Sequence, residues 1–233
     1  MKLQKRLTVA GQEVKLVQDN TVLELSQPGR AIFQVLSPTM LSGTVQFSLG
    51  WHWDAQLTLF FTGDIDPKLS TRVDDKQVRL CVREVSAKMQ HIHPMALRHP
   101  TLKEVLAEYA KAAKVQFIVP EKGYATTKVP AFYAVGSGTH GLANMGDVFH
   151  IPDYVWLTQG DGKIFVGSHA DCRWAKITGL DLPDNFYHSA RADGTRSVTA
   201  VPSLRPGAVL NGERVRMIKL TGHTMEISIC NAV

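Results

Sequence analysis

The chain has 233 residues, enough to bury a real core as one large β domain or two small ones. Apolar residues make up 44% and charged residues 20%, an ordinary globular balance, and the formal net charge of +5 is scattered rather than run together. No basic block of the kind a nucleic-acid reader concentrates on one face is present. The longest apolar runs, such as 57–61, fall far short of the roughly 20 residues of a membrane span, and no apolar stretch follows Lys2, Lys5 and Arg6 to make a secretory signal.

From the start to about Met89 the chain is dense in strand signals. Short β-rich runs at 14–17, 21–25, 31–36, 44–49, 56–61 and 77–85 often alternate apolar and polar residues. In Thr44–Leu49, alternation sets Val45, Phe47 and Leu49 on one face. Asp19-Asn20, Gln27-Pro-Gly29, Leu41-Ser-Gly43, Leu49-Gly50 and Thr62-Gly-Asp64 read as the turns between them. Repeated short strands at this spacing point to an antiparallel barrel or sandwich.

One main helix is predicted over 101–114. Thr101 is its N-cap, and Glu104 completes a capping box. Leu102, Val105, Leu106, Tyr109 and Ala113 share one face. Val115–Val119 follows as a strand stopped by Pro120. Residues 121–151 read as loop-rich: Gly136-Ser-Gly-Thr-His-Gly141 breaks regular structure, and 142–149 allows a short helix. A hairpin is predicted over 154–167, with Gly160-Asp-Gly162 at its tip. Strands return at 196–201, 208–210, 213–220 and 224–229, turning at Asn211-Gly212 and Thr221-Gly-His223. The expected architecture is mainly β (α+β). A first barrel spans 1–95, an α+β insert 96–175, and strands completing a second barrel 176–233.

No constellation carries a reaction. Glycines 136, 138 and 141 satisfy G-x-G-x-x-G, but no βαβ unit surrounds them, and no Gly-Lys-Ser/Thr ending places a lysine for phosphates. Ser137 and His140 suggest a Ser/His hydrolase, yet no G-x-S-x-G elbow is present. His91, His93 and nearby His99 lack a close Cys or acid to complete a zinc set. Asp64/Asp66, Asp74/Asp75 and Asp181/Asp184 read as solvated turn chemistry. Trp51, Trp53, Phe60 and Phe61 could stack sugars or bases in a carbohydrate- or peptide-binding module, or fill a core. Cys81, Cys172 and Cys230 are odd in number and far apart, so neither a disulfide framework nor a zinc knuckle is expected. Cys81 and Cys230 read as buried small hydrophobes, and reduced thiols fit synthesis in a cytoplasm. The sequence therefore assigns no catalytic, cofactor or metal residue.

The order of the pieces resembles a known family. Leu59-Phe-Phe-Thr-Gly-Asp-Ile-Asp66, the helix start Arg98-His-Pro-Thr-Leu-Lys-Glu-Val-Leu106, the Trp156…Gly160-Asp-Gly-Lys-Ile-Phe-Val166 hairpin and Leu204-Arg-Pro-Gly207…Asn211-Gly212…Val215 are similar, in this order, to elements of phage tail baseplate hub proteins of the late control protein D-like type. Many such hubs are longer than this chain. The resemblance implies two tail-tube-like β-barrels per chain and a non-enzymatic homotrimeric ring. It implies an adaptor between the hexameric tail tube protein and a central spike protein, with the tape measure protein as a further partner. It also implies a virion (tail) location after assembly in the host cytoplasm. A membrane span is not implied, and contact with DNA in the lumen is left open.

Overall fold

The computed structural model describes residues 2–175, 181–191 and 193–230. In chain order these form β1 (Leu3–Val9), β2 (Gln12–Glu24), β3 (Gln27–Leu36), β4 (Thr44–Trp51), β5 (Thr58–Ile65), β6 (Thr71–Arg72) and β7 (Gln77–Glu84). A 3-10 turn over Val85–Gln90 leads to β8 (Met95–Arg98), α1 (Leu102–Ala113), β9 (Phe117–Ile118), α2 (Gly123–Thr126), β10 (Ala131–Ala134) and α3 (Gly138–Val148). β11 (Tyr154–Thr158), β12 (Ile164–Ser168), β13 (Tyr187–Ala190), β14 (Arg196–Thr199), β15 (Val209–Leu210), β16 (Glu213–Thr221) and β17 (Thr224–Ile229) complete the chain.

The fold is mainly β, as the alternation predicts. Antiparallel neighbours run β1-β4-β5-β7-β3-β2, and β1 also pairs with β2, which closes a six-strand barrel. Period-two alternation sends Val45, Phe47 and Leu49 of β4 inward to meet Phe33, Phe60 and Phe61. Phe33 stands 5.0 Å from Phe47, centroid to centroid, and 6.1 Å from Phe61. Closure leaves these strands without an unpaired edge.

Several expected turns are strand. Asp19-Asn20 does not break the chain: β2 runs 13 residues, one end paired with β1 and the other with β16. Bulges between Leu16 and Gln18 and between Val22 and Glu24 provide the bend instead. Asp19 is buried there, with its Oδ1 2.6 Å from Lys5 Nζ, so an ion pair stands in for solvent on one of its two oxygens. Gln27–Gly29 open β3, and the turn falls at Leu25-Ser26, with Ser26 at φ 56°. Leu49-Gly50 and Thr62–Asp64 also lie within strands. A Cβ on Gly63 would lie 2.3 Å from the Arg83 carbonyl oxygen, so this glycine serves close strand approach. The C-terminal strands join the same sheet: β16 pairs with β2, then β17, β14 and β13 follow. The expected boundary at 175/176 abuts residues 176–180, outside the described ones.

The insert builds a second core. Leu102, Val105, Leu106 and Tyr109 of α1 pack with Leu142 and Met145 of α3. It therefore holds two helices of similar length, not one main helix. The glycine run opens α3 instead of breaking structure. A Cβ at Gly141 would meet the Tyr109 hydroxyl at 2.1 Å, and one at Gly146 the Tyr154 ring at 2.7 Å. These glycines buy helix packing. At α1 the Thr101 side chain accepts from the Glu104 N–H, the Glu104 carboxylate accepts from the Thr101 N–H at 2.7 Å, and Lys114 ends the helix at φ 54°. Thr101→Ala is expected to lower stability by about 1 kcal/mol in a urea titration.

The β11–β12 hairpin joins the two cores. Val155, Leu157 and Phe165 face the barrel-side cluster, while Trp156, Ile164 and Val166 face the helical one. With both faces buried, its strands are continuously apolar.

Candidate functional site

The chemically richest point of the interior lies where barrel, hairpin and C-terminal segment meet. In β7, alternation points Val78, Leu80 and Val82 inward, and Glu84 follows in the same register. Its carboxylate is buried and accepts from the Gly29 N–H at 2.7 Å and from Arg205 Nη2 at 3.0 Å. Arg205 sits in the buried loop between β14 and β15, at the start of Arg-Pro-Gly207. Its guanidinium also donates to the Thr158 carbonyl at 2.9 Å and to the Phe60 carbonyl. One side chain thus ties β5, β7, β11 and the C-terminal loop together. Burial pushes the Glu84 carboxyl up and the Arg205 guanidinium down, and each partner's charge opposes the other's shift. The neighbouring hydroxyls are also engaged: Thr158 Oγ1 donates to Ser86 Oγ at 2.7 Å, and Thr62 Oγ1 to the Gly160 carbonyl at 2.6 Å. This is a structural junction whose polar groups face one another, apart from Arg205 Nε, which is buried without a hydrogen-bond partner among the described residues.

A second knot holds the other side of the Arg-Pro-Gly loop. Gly207 (φ 89°) accepts at its carbonyl from His169 Nε2, 2.7 Å away. Arg214 Nη1 donates to Asp153 Oδ1 at 2.9 Å, across 61 residues. The hydrogen bond from Arg214 holds the Asp153 carboxyl below its ordinary range, against a smaller effect of burial. Burial works to raise Asp64, but Lys88 at 2.8 Å and Thr44 at 2.7 Å outweigh it and leave Asp64 lowered too. A carboxyl lowered on folding stabilises above its unfolded pKa, near 3.9, and this contribution disappears as pH falls through the folded value. The melting temperature should therefore drop between about pH 5 and pH 3. The drop should be smaller in Asp153→Asn, measured by circular dichroism melts.

The candidates read from the sequence fall into place differently. Ser137 is the N-cap of α3, and its Oγ accepts from the His140 N–H at 3.2 Å. The His140 ring instead lies beside Asn144, Nε2 to Nδ2 3.5 Å, so the two side chains are not set as nucleophile and base. His140 does line a groove of ≈ 460 Å³ with Thr139, Tyr154 and Trp156. His93 Nε2 lies 3.2 Å from the Lys88 carbonyl, and its ring packs edge-on to Tyr109, while His91 is exposed. Asp64 and Asp66 line a groove of ≈ 360 Å³ with Arg83 and Lys88, paired as Asp64–Lys88 at 2.8 Å and Asp66–Arg83 at 3.6 Å. Asp64 is a strand residue, not a turn residue. Phe60 and Phe61 are core. Trp51 and Trp53 stack on each other, 5.4 Å apart and 15° from parallel, so one indole covers the other. Cys172 is buried, whereas Cys81 and Cys230 are only half-buried. Arg205 and Glu84 were not singled out from the sequence. The available signal was a carboxylate in the inward register of β7, which demands a buried partner.

No family model matches the chain. It is 31% identical over 230 residues to an uncharacterized 58.7 kDa protein in the lys 3′ region of Haemophilus phage HP1. That match covers 98% of this chain and 42% of the relative, so the chain spans less than half the relative's length. Solved structures share its fold. The 43 kDa tail protein of prophage MuSo2 from Shewanella oneidensis superposes with TM-score 0.70 at 10% identity, over 98% of this chain and 97% of that one. A tail protein from Neisseria meningitidis MC58 superposes with TM-score 0.66 at 10% identity, over 98% and 96%. The E. coli c3393 protein, a type VI secretion component described as similar to T4 tail proteins gp27 and gp5, reaches 0.60 at 10% identity, over 97% and 77%. The fold is that of phage tail proteins, which is where the collinear motifs of the sequence pointed.

Proposed function

We propose that this chain is a structural, non-enzymatic tail protein of a phage or prophage, acting as the baseplate hub. In this reading three copies form a ring that adapts the hexameric tail tube to the central spike. The tape measure protein is a further partner, and the virion tail is the location. The observation that carries the proposal is the tail-protein fold, shared over 98% of the chain with the MuSo2 protein. The phage-encoded relative supports it. The interior polar chemistry supports it as well: Arg205, Glu84 and Thr158 are spent on joining segments, and the Ser137 hydroxyl on capping a helix. We further propose the division into 1–95, 96–175 and 176–233, with the C-terminal strands completing a second barrel. A ring of one chain type closes through heterologous contacts. Light scattering after size exclusion is expected to give three times the 25.7 kDa chain mass, alone or with tube and spike proteins added. A monomer under all of these conditions would sink the trimeric hub.

A further inference from the structure

The least protected surface lies on the insert. β8 and β10 form a two-stranded antiparallel ribbon, with Leu97 opposite Phe132 and Met95 opposite Ala134. The pairing continues beyond the strands, where the His93 N–H donates to the Gly136 carbonyl and the Gly138 N–H to the His91 carbonyl. This register directs the backbone groups of 132, 134 and 136 toward β8. The groups of Ala131, Tyr133 and Val135 then point to the outer edge of β10. Among the described residues β10 has no strand neighbour but β8, and the N–H groups of Tyr133 and Val135 make no hydrogen bond. Phe132 is buried, while Tyr133 is 70% and Val135 89% exposed. Exposed Ile92 and Pro94 continue the apolar surface in the segment that leads into β8.

Natural sheets guard such edges with charged residues, proline or bulges, because an open apolar edge accepts any passing strand. Within Ala131–Val135 none of these is present. The outer edge of β8, in contrast, is interrupted by Pro94. The ribbon strands themselves carry a single charged residue, Arg98. Residues 85–100 and 122–146 contain Lys88, Arg98, Lys122, Lys128 and four histidines but no Asp or Glu. Lys88 and Lys122 are paired, with Asp64 and Asp171, and Lys128 acts on Glu104. Arg98, opposite Ala131 at the end of the ribbon, has no acidic partner among the described residues.

We propose that the outer edge of β10 receives an extended, acidic segment of a partner protein by strand addition. The segment hydrogen-bonds to Ala131, Tyr133 and Val135, packs alternate apolar side chains on Tyr133 and Val135, and sets a carboxylate against Arg98. Main-chain hydrogen bonds supply affinity in this mode, and alternate side chains with the end charge supply selectivity. The apolar character of the edge favours a protein strand over a polyanion.

The test uses the folded chain and a capped synthetic peptide, Glu-Val-Thr-Val-Thr-Val-Glu, with a Lys-ended version for comparison. Binding is read by fluorescence anisotropy of the labelled peptide. The Glu-ended peptide is expected to bind, and the Lys-ended one to bind more weakly. Val135→Pro removes an N–H that bonds nothing among the described residues. It should leave the melting temperature unchanged and weaken the peptide about tenfold or more, the worth of an edge hydrogen bond plus a blocked approach. Arg98→Glu should invert the preference between the two peptides. The proposal is overturned if neither peptide binds, if Val135→Pro binds both as well as the parent does, or if a duplex DNA competes equally with the peptide. Concentration-dependent dimers of the parent chain that Val135→Pro abolishes would assign the edge to a second copy, and so overturn the partner-strand assignment. None of these readouts depends on whether the chain forms a trimeric ring.

Discussion

Arg205→Ala should cost about 3–5 kcal/mol of folding stability, the loss expected when one partner of a buried ion pair is removed. The removed guanidinium answers three acceptors from three parts of the chain: Glu84, Thr158 and Phe60. Without it, Glu84 keeps the Gly29 N–H but loses its counter-charge in a site that already pushes its carboxyl upward. The carboxyl must then take up a proton or draw water into the junction. Glu84→Gln should be strongly destabilising as well, since its single amide oxygen can accept from the Gly29 N–H or from Arg205 but not from both, and the buried guanidinium loses its counter-charge. Paired replacement, Glu84→Gln with Arg205→Met, should not restore full stability, because the Thr158 and Phe60 carbonyls remain without their donor. Thermal melts decide the ranking. A loss in Arg205→Ala no larger than that of an exposed arginine such as Arg98→Ala would show that the junction holds nothing together.

Gly160→Ala should be nearly as damaging, at about 3 kcal/mol. An ideal Cβ there lies 2.0 Å from the Leu59 carbonyl oxygen, and a backbone atom cannot swing aside. The tip of the β11–β12 hairpin would have to lift from β5, breaking the hydrogen bond from Thr62 Oγ1 to the Gly160 carbonyl. Because this hairpin shares its side chains between both cores, the lift should loosen the insert as well as the barrel. Gly123→Ala is the control. No atom lies within 4 Å of its added Cβ, so its melting temperature should match the parent's. Equal melting temperatures for the two variants would refute the close approach of hairpin and barrel.

Local rules carried the elements whose signals are contained in a few residues. The capping box at Thr101 and Glu104 set the start of α1, alternation set β4 and β7, and Asn211-Gly212 set a turn with both residues at positive φ. They misread glycines and acids whose partners are distant in sequence. Gly63 and Gly141 read as turn or loop residues, but each is small because Arg83 or Tyr109 approaches from elsewhere in the chain; Gly160 is the hairpin-tip residue it reads as, and the approach of Leu59 is what the sequence does not show. Asp19 read as a turn because its partner, Lys5, becomes visible only when β1 and β2 close the barrel. Ser137 and His140 read as a pair to be weighed for chemistry, where helix geometry makes one the cap of the other.

What the sequence by itself determined is the mainly β class, the strands and the capped helix, the hairpin at 154–167 and the collinear likeness to tail proteins. The class and the elements rest on periodicity and turn chemistry within short windows, and the likeness rests on the order of four motifs along the chain. Only the tertiary structure decided that one strand, β2, serves both the barrel and the C-terminal strands. It also decided that α3 matches α1, that Arg205 and Glu84 meet across 121 residues, and that β10 is left with an open edge. The physical reason is the same in each case. Burial, ion pairing and edge exposure are properties of which segments become neighbours, and alternation along one strand says which face is inward without saying what will face it.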